Sequence, residues 1–244
     1  MYVFFVAITV YSVGFFIGFG VPKGIDQGTQ LAWPLAVVID AALLLLFAVQ
    51  HTVMARSWFK HRWTRLVPQP AERATFVLAT SLVLALVFWL WRPVRGTVWD
   101  LSGPGAAALL TVYAAGWAVV LGSTFLISHS DLFGLRQACR YARGTAYRPP
   151  GFTQRGLYRV VRHPLMTGFV IVFWAAPAMT LGHLLFAAAA TGYILVGIAF
   201  EERDLRLDLG EVYRAYTARV PALIPSFRTA RGPQPAASEG DRPR

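Results

Sequence analysis

Apolar residues gather into six runs along the chain: about Tyr2 to Gly20, Pro34 to Met54, Ala74 to Trp91, Gly105 to Ile127, Pro164 to Met179 and Leu184 to Phe200. A helix needs about 20 residues to cross the hydrocarbon layer of a bilayer. The fifth and sixth runs lie near the lower limit of that length and read as a hairpin. From His163 to a break at Gly182-His183 is about nineteen residues, and from there to Glu201 about nineteen more, or roughly 28 Å per arm at ~1.5 Å per residue. Both ends of the hairpin then return to one membrane face. The stretch Arg155-Gly-Leu-Tyr158-Arg159-Val-Val-Arg162-His163-Pro164 meets Glu201-Glu202 there.

Shorter patterns fill the connections. Leu132, Leu135, Cys139 and Ala142 recur at helical spacing beside Arg136, Arg140 and Arg143, which predicts an interfacial helix ended by Gly144. Tyr147-Arg-Pro-Pro-Gly151 then enforces an extended or turning path. Beyond Glu201, the residues Leu205, Leu209, Val212, Tyr213 and Tyr216 mark an amphipathic helix ending near Pro221. The expected fold class is all-α, a polytopic membrane bundle of five to six transmembrane helices with cytoplasmic interfacial helices. One membrane domain covers residues 1–228, with the ligand-holding half at about 128–228. A tail over 229–244, rich in Pro, Gly, Ala and charge, is expected to be disordered.

Composition agrees, since 56% of the 244 residues are hydrophobic and only 14% are charged, a balance that belongs to membrane proteins. The net charge of +11 does not point to nucleic acid, because Lys and Arg sit in short loops between apolar runs rather than on a soluble face. All 23 of them except Lys23, Arg92 and Arg95 fall on one side of the six-span layout, which makes that side and both termini cytoplasmic by the positive-inside rule. The first run lacks a basic n-region and a small-residue cleavage site, so it is expected to remain as a span. Cys139, the single cysteine, excludes an internal disulfide and a cysteine-based metal site.

Polar groups inside apolar runs are costly and need a reason. Asp40 and His51 share a face of the second run. Asp40 is expected to partner a backbone group or hydroxyl; His51, near the cytoplasmic end with Gln50, is a candidate base. In Ser128-His129-Ser130-Asp131, either Ser130 or Asp131 caps the following helix, or His129 faces one pocket with His51 and His163. Arg159, Arg162 and His163 read as interfacial anchors or as a site. Pro164 suits the first turn of a helix whose free amides meet an anion. Arginine and helix-start amides would hold a ligand carboxylate, and Glu201 or Glu202 an ammonium or ribose hydroxyl. A ligand with a carboxylate, an ammonium, a ribose and an aromatic ring describes S-adenosyl-L-methionine, although the Gly-rich loop of its soluble binding folds is absent from this sequence.

The motif Arg162-His-Pro-Leu-Met166-Thr-Gly168, the segment Glu201-Glu-Arg-Asp-Leu205, then Gly210-Glu-Val-Tyr213-Arg-Ala-Tyr216 and Val220-Pro-Ala-Leu-Ile-Pro225 follow in that order. This series resembles the membrane methyltransferases related to isoprenylcysteine carboxyl methyltransferase, with Met166 standing where the family pattern has Tyr. Upstream, Phe47 to Arg56, Ser123 to His129, Asp131 to Gln137 and Tyr147 to Phe152 extend the likeness to the branch that methylates a small thiol. The resemblance implies S-adenosyl-L-methionine as methyl donor, held by Tyr147, Tyr158, Arg159, Arg162, His163, Pro164, Glu201 and Glu202. The implied acceptor is a small apolar thiol, methanethiol becoming dimethyl sulfide, with His51 or His129 as base. Other thiols or an isoprenylcysteine carboxylate are alternative acceptors, and a non-enzymatic NnrU-like membrane protein is the reading from another class. No metal and no obligate protein partner are implied; membrane lipid is. A metal-dependent oxidase would need closely spaced His pairs that the sequence lacks.

Overall fold

The computed structural model describes residues 1–149 and 151–225; the tail expected to be disordered, 229–244, lies outside them. It is a helical membrane bundle. Among the described residues, four helices are long and apolar enough to cross a membrane: α2 (Trp33–Ala55), α4 (Gln69–Leu90), α5 (Gly103–Ile127) and α9 (Leu181–Leu209). The apolar helices α1 (Tyr2–Ile17) and α8 (Pro164–Trp174) are shorter. Short helices α3 (Ser57–Trp63), α6 (His129–Leu132), α7 (Leu135–Ala142) and α10 (Glu211–Thr217) lie at the bundle's ends, with a 3-10 turn at Gly156–Arg159 before α8. Helices α2, α4, α5 and α8 each carry a proline in the first turn, where its missing N–H costs nothing.

The hairpin is less symmetric than its apolar pattern predicts. Its first arm is an 11-residue helix, about 16 Å long, because Pro177 cannot donate to the carbonyl of Phe173 and the helix stops there. The chain continues extended as β2 (Ala178–Thr180), antiparallel to β1 (Thr97–Asp100), with Trp99 opposite Met179. This two-stranded ribbon closes one end of the bundle. Gly182-His183 is therefore not the break. It sits in the first turn of α9, whose N-cap Thr180 accepts from the His183 N–H. The fully buried His183 ring faces the carbonyl of Phe173 through Nε2 at 3.1 Å, supplying the donor that Pro177 lacks.

The core fills the ribbon-side half with Phe15, Phe16, Phe88, Trp91, Tyr113, Trp117 and Phe186. Asp40 is buried there and accepts the Arg92 N–H at 2.8 Å, the backbone partnership expected of it. Lys23 donates to the carbonyls of Trp89 and Trp91, closing the end of α4. Helices α5 and α8 approach most closely at Gly116 and Gly168, where a Cβ on Gly168 would meet the Gly116 carbonyl oxygen at 2.8 Å. That contact sets how α8 presents His163, its N-cap residue. At the opposite end from the ribbon, Tyr2 of α1 meets His129, so α1 starts at the end where α9 and α10 finish.

Candidate functional site

The backbone just before α8 is tied to the segment after α10. The N–H groups of Arg162 and His163 donate to the carbonyls of Pro221 and Ala222 at 2.8 and 3.1 Å, and the Thr167 hydroxyl donates to Leu223 O at 2.9 Å. These three bonds fix the Arg-His-Pro motif against the segment after α10, and charge joins it to the end of α9. Arg162 donates from Nε to Glu202 Oε1 at 2.8 Å, with Nη2 at 2.6 Å from the same oxygen, and its Nη1 reaches Val220 O at 2.5 Å. His163 Nε2 lies 3.2 Å from Glu202 Oε1, and Arg206, one turn beyond Glu202, holds Oε2 at 2.8 Å. Glu202 is thus buried and saturated, its two oxygens shared among two guanidiniums and an imidazole.

Glu201 differs. Its side chain is 48% exposed, and its recorded partner is His163 Nδ1 at a loose 3.4 Å. Arg159 is exposed on the 3-10 turn, with no ion pair among the described residues. Pro164 is buried at the first helical position. Tyr158 is buried, and its carbonyl accepts the Tyr216 hydroxyl at 2.6 Å. Burial, then the nearby Glu201 charge, pushes the Tyr158 phenol up. Burial and the Glu202 charge push Tyr213 up to about 12. Phe152 packs edge-on against Tyr213 and Tyr216, which draws the preceding loop over the cluster. Tyr158, Arg159, Arg162, His163, Pro164, Glu201 and Glu202 therefore form one neighbourhood.

Tyr147 does not join it. Gln137 donates to the Tyr147 hydroxyl at 3.2 Å, and both residues line a separate cleft of about 610 Å³ with Glu72, Arg73, Asp131 and Tyr141. No side chain caps α6 or α7. Asp131 instead accepts from Ser128 and, at 3.0 Å, from Arg136. Burial opposes its charge, but those hydrogen bonds outweigh it and hold the carboxyl below the ordinary range.

The two candidate base histidines stand on opposite sides of a small apolar cluster containing Phe76, Val77 and Phe133. Both nitrogens of His129 are engaged. The Thr124 hydroxyl is within 2.8 Å of Leu121 O and gives its hydrogen there, so His129 Nδ1–H donates to Thr124 at 2.9 Å and Nε2 accepts from Tyr2 at 2.6 Å. His129 thereby anchors α1. His51 has one long contact, 3.4 Å from Nδ1 to the Thr80 hydroxyl, among the rings of Phe47, Phe76 and Tyr193. Arg56 lies over the Phe200 ring at 4.7 Å, so the end of α2 adjoins the turn carrying Glu201. By the helical rise, His51 stands about 8 Å deeper than Arg56 and Tyr193 about 12 Å deeper than Glu201. Sequence reasoning passed over Thr80 and Tyr193. The available signal was their polarity inside apolar runs.

Fold and site together define an integral membrane protein of helical type, with an exposed carboxylate and an exposed guanidinium at one end of an apolar bundle. No family model and no solved structure matches the chain. Curated relatives do. The chain is 48% identical over 232 residues to a methanethiol S-methyltransferase of Pseudomonas sp., covering 95% of this chain and 89% of that protein. It is 52% identical over 228 residues to methanethiol S-methyltransferase 1 of Bradyrhizobium diazoefficiens, covering 93% and 80%. Against the methanethiol S-methyltransferase of Mycobacterium tuberculosis the identity is 49% over 225 residues, covering 92% of each chain. The chain belongs to the methanethiol S-methyltransferase family.

Proposed function

We propose that this protein catalyses methyl transfer from S-adenosyl-L-methionine to a small thiol, methanethiol foremost, with dimethyl sulfide as product. The observation that carries the reading is the division within the charged cluster. Glu202 and Arg162 saturate each other, whereas Glu201 and Arg159 keep exposed charge at its rim. An exposed guanidinium suits a ligand carboxylate and an exposed carboxylate suits an ammonium or ribose hydroxyl, so the residues present fit the methyl donor. When bound, S-adenosyl-L-methionine supplies a methyl group activated by its sulfonium sulfur. Arg162, Glu202 and His163 position the rim, and the Phe152 packing helps exclude water from it.

The thiolate is the stronger nucleophile, so the acceptor's S–H proton needs a base. His51 is the fitting residue, since its Nε2 has no hydrogen bond among the described residues, while both His129 nitrogens are occupied. An in-line displacement gains mainly from alignment. The aromatic surroundings of His51 suit a small apolar acceptor. The end of the bundle that carries the basic residues faces the cytoplasm of a bacterial inner membrane, where the donor is available.

The test is an assay of the purified protein with S-adenosyl-L-methionine and a panel of methanethiol, hydrogen sulfide, longer thiols and a prenylcysteine, with headspace detection. Dimethyl sulfide formation from methanethiol is expected, and His51→Ala is expected to lower turnover far more than donor affinity. Failure to bind the donor, or a prenylcysteine as the preferred acceptor, would overturn the proposal.

A further inference from the structure

Arg136, Arg140 and Arg143 follow one another at i, i+4 and i+7, so α7 and the residue after it place them on one stripe. Together with Cys139 and Thr145 they enclose a cleft of about 300 Å³. Its wall is built rather than incidental. Gly144, at φ +63, turns the chain back, and Thr145 returns over the helix with its N–H 2.9 Å from the Arg140 carbonyl. Arg136 alone of the three has an acidic partner among the described residues, Asp131 at 3.0 Å. Arg140 and Arg143 are exposed, and like charges one turn apart repel.

We propose that this cleft binds a phosphate group, in the first place the headgroup phosphate of an anionic phospholipid. The planar guanidinium forks match phosphate oxygens two at a time, and Thr145 adds a hydroxyl on the same wall. The cleft lies where a lipid headgroup would be, since α7 follows the end of the spanning helix α5 after only the short α6. Its opposite neighbour is the larger cleft, because Thr145 lines both and Arg136 joins the small cleft to Asp131 of the large one. A bound phosphate would therefore fix α7 between the two. This inference does not depend on the methyl-transfer reading.

The experiment is native mass spectrometry of the full chain released from nanodiscs containing equal phosphatidylglycerol and phosphatidylcholine, repeated with inorganic phosphate in the buffer. The wild type is expected to retain phosphatidylglycerol preferentially. Arg140→Gln with Arg143→Gln should weaken that retention about 25-fold, taking roughly fivefold per basic residue at an anionic surface. Arg95→Gln, at the ribbon end, should leave it unchanged. Displacement of the lipid by inorganic phosphate, lost in the same double variant, would keep the phosphate site and make free phosphate an occupant. Equal retention of both lipids with no variant-dependent phosphate binding would overturn the proposal, as would loss of retention in Arg95→Gln to the same degree.

Discussion

Adjacent glutamates with different surroundings make the sharpest prediction. Glu202→Gln removes the charge that faces the Arg162 and Arg206 guanidiniums at 2.6 and 2.8 Å, in a side chain 8% exposed. Breaking a buried pair by removing one partner costs about 3–5 kcal/mol. The carbonyls of Val220 and Thr217 still receive Arg162, and the Arg206 side chain is half exposed, so the lower end, about 3 kcal/mol, is expected. For a chain of this size about 1 kcal/mol moves Tm by roughly 2–4 °C, so the variant should melt roughly 6–12 °C lower. Glu201→Gln alters an exposed, loosely paired carboxylate, which contributes at most about 1 kcal/mol to stability. Its melting point should stay close to wild type while donor affinity falls about tenfold or more. Thermal unfolding in detergent beside calorimetry with S-adenosyl-L-methionine separates the two. A double-mutant cycle of Arg162 and Glu202 should show strong coupling. Unchanged stability in Glu202→Gln, or unaltered donor affinity in Glu201→Gln, would refute the assignment of a positioning role to one and a ligand role to the other.

Three further outcomes are expected. Gly168→Ala should cost about 1–3 kcal/mol by overpacking, since the new methyl meets the Gly116 carbonyl and Val120 within 2.9 Å; because α8 carries His163, kcat/KM should fall with it, and steady-state kinetics beside melting curves check both. His183→Ala should lose about 2–4 kcal/mol by emptying a fully buried site and orphaning the Phe173 carbonyl, with a larger melting shift than His129→Ala produces. Asp131 has a folded-state pKa below its unfolded value of about 4, so its stabilising effect is present above that pH and is lost as pH falls through the depressed value. Amide hydrogen exchange in α7, corrected for its intrinsic pH dependence, should therefore lose protection only in strongly acidified samples, and Asp131→Asn should show the faster exchange already at neutral pH.

Membership of the bundle, the basic bias of one end and the meeting of Arg162-His163 with Glu201-Glu202 were all legible in the sequence. Apolar run length and charge placement follow from the cost of putting polar groups in lipid, and that cost acts on each segment separately. Other features were decided only by the tertiary structure. Pro177 stops α8 early, but the resulting gap is tolerable only because His183 and the ribbon partner Thr97–Asp100 lie alongside it. The motif spacing treats Glu201 and Glu202 alike, and only the meeting of α9 with the Arg162-His163 segment, itself tied to Pro221 and Ala222, turns one inward to Arg162 and leaves the other at the rim. Likewise Tyr147, sequentially close to the Arg-His-Pro stretch, belongs to the Asp131 cleft. Local periodicity records which face of a helix is apolar. Which partner completes a buried charge depends on residues about forty positions away, and that pairing exists only once the chain has folded.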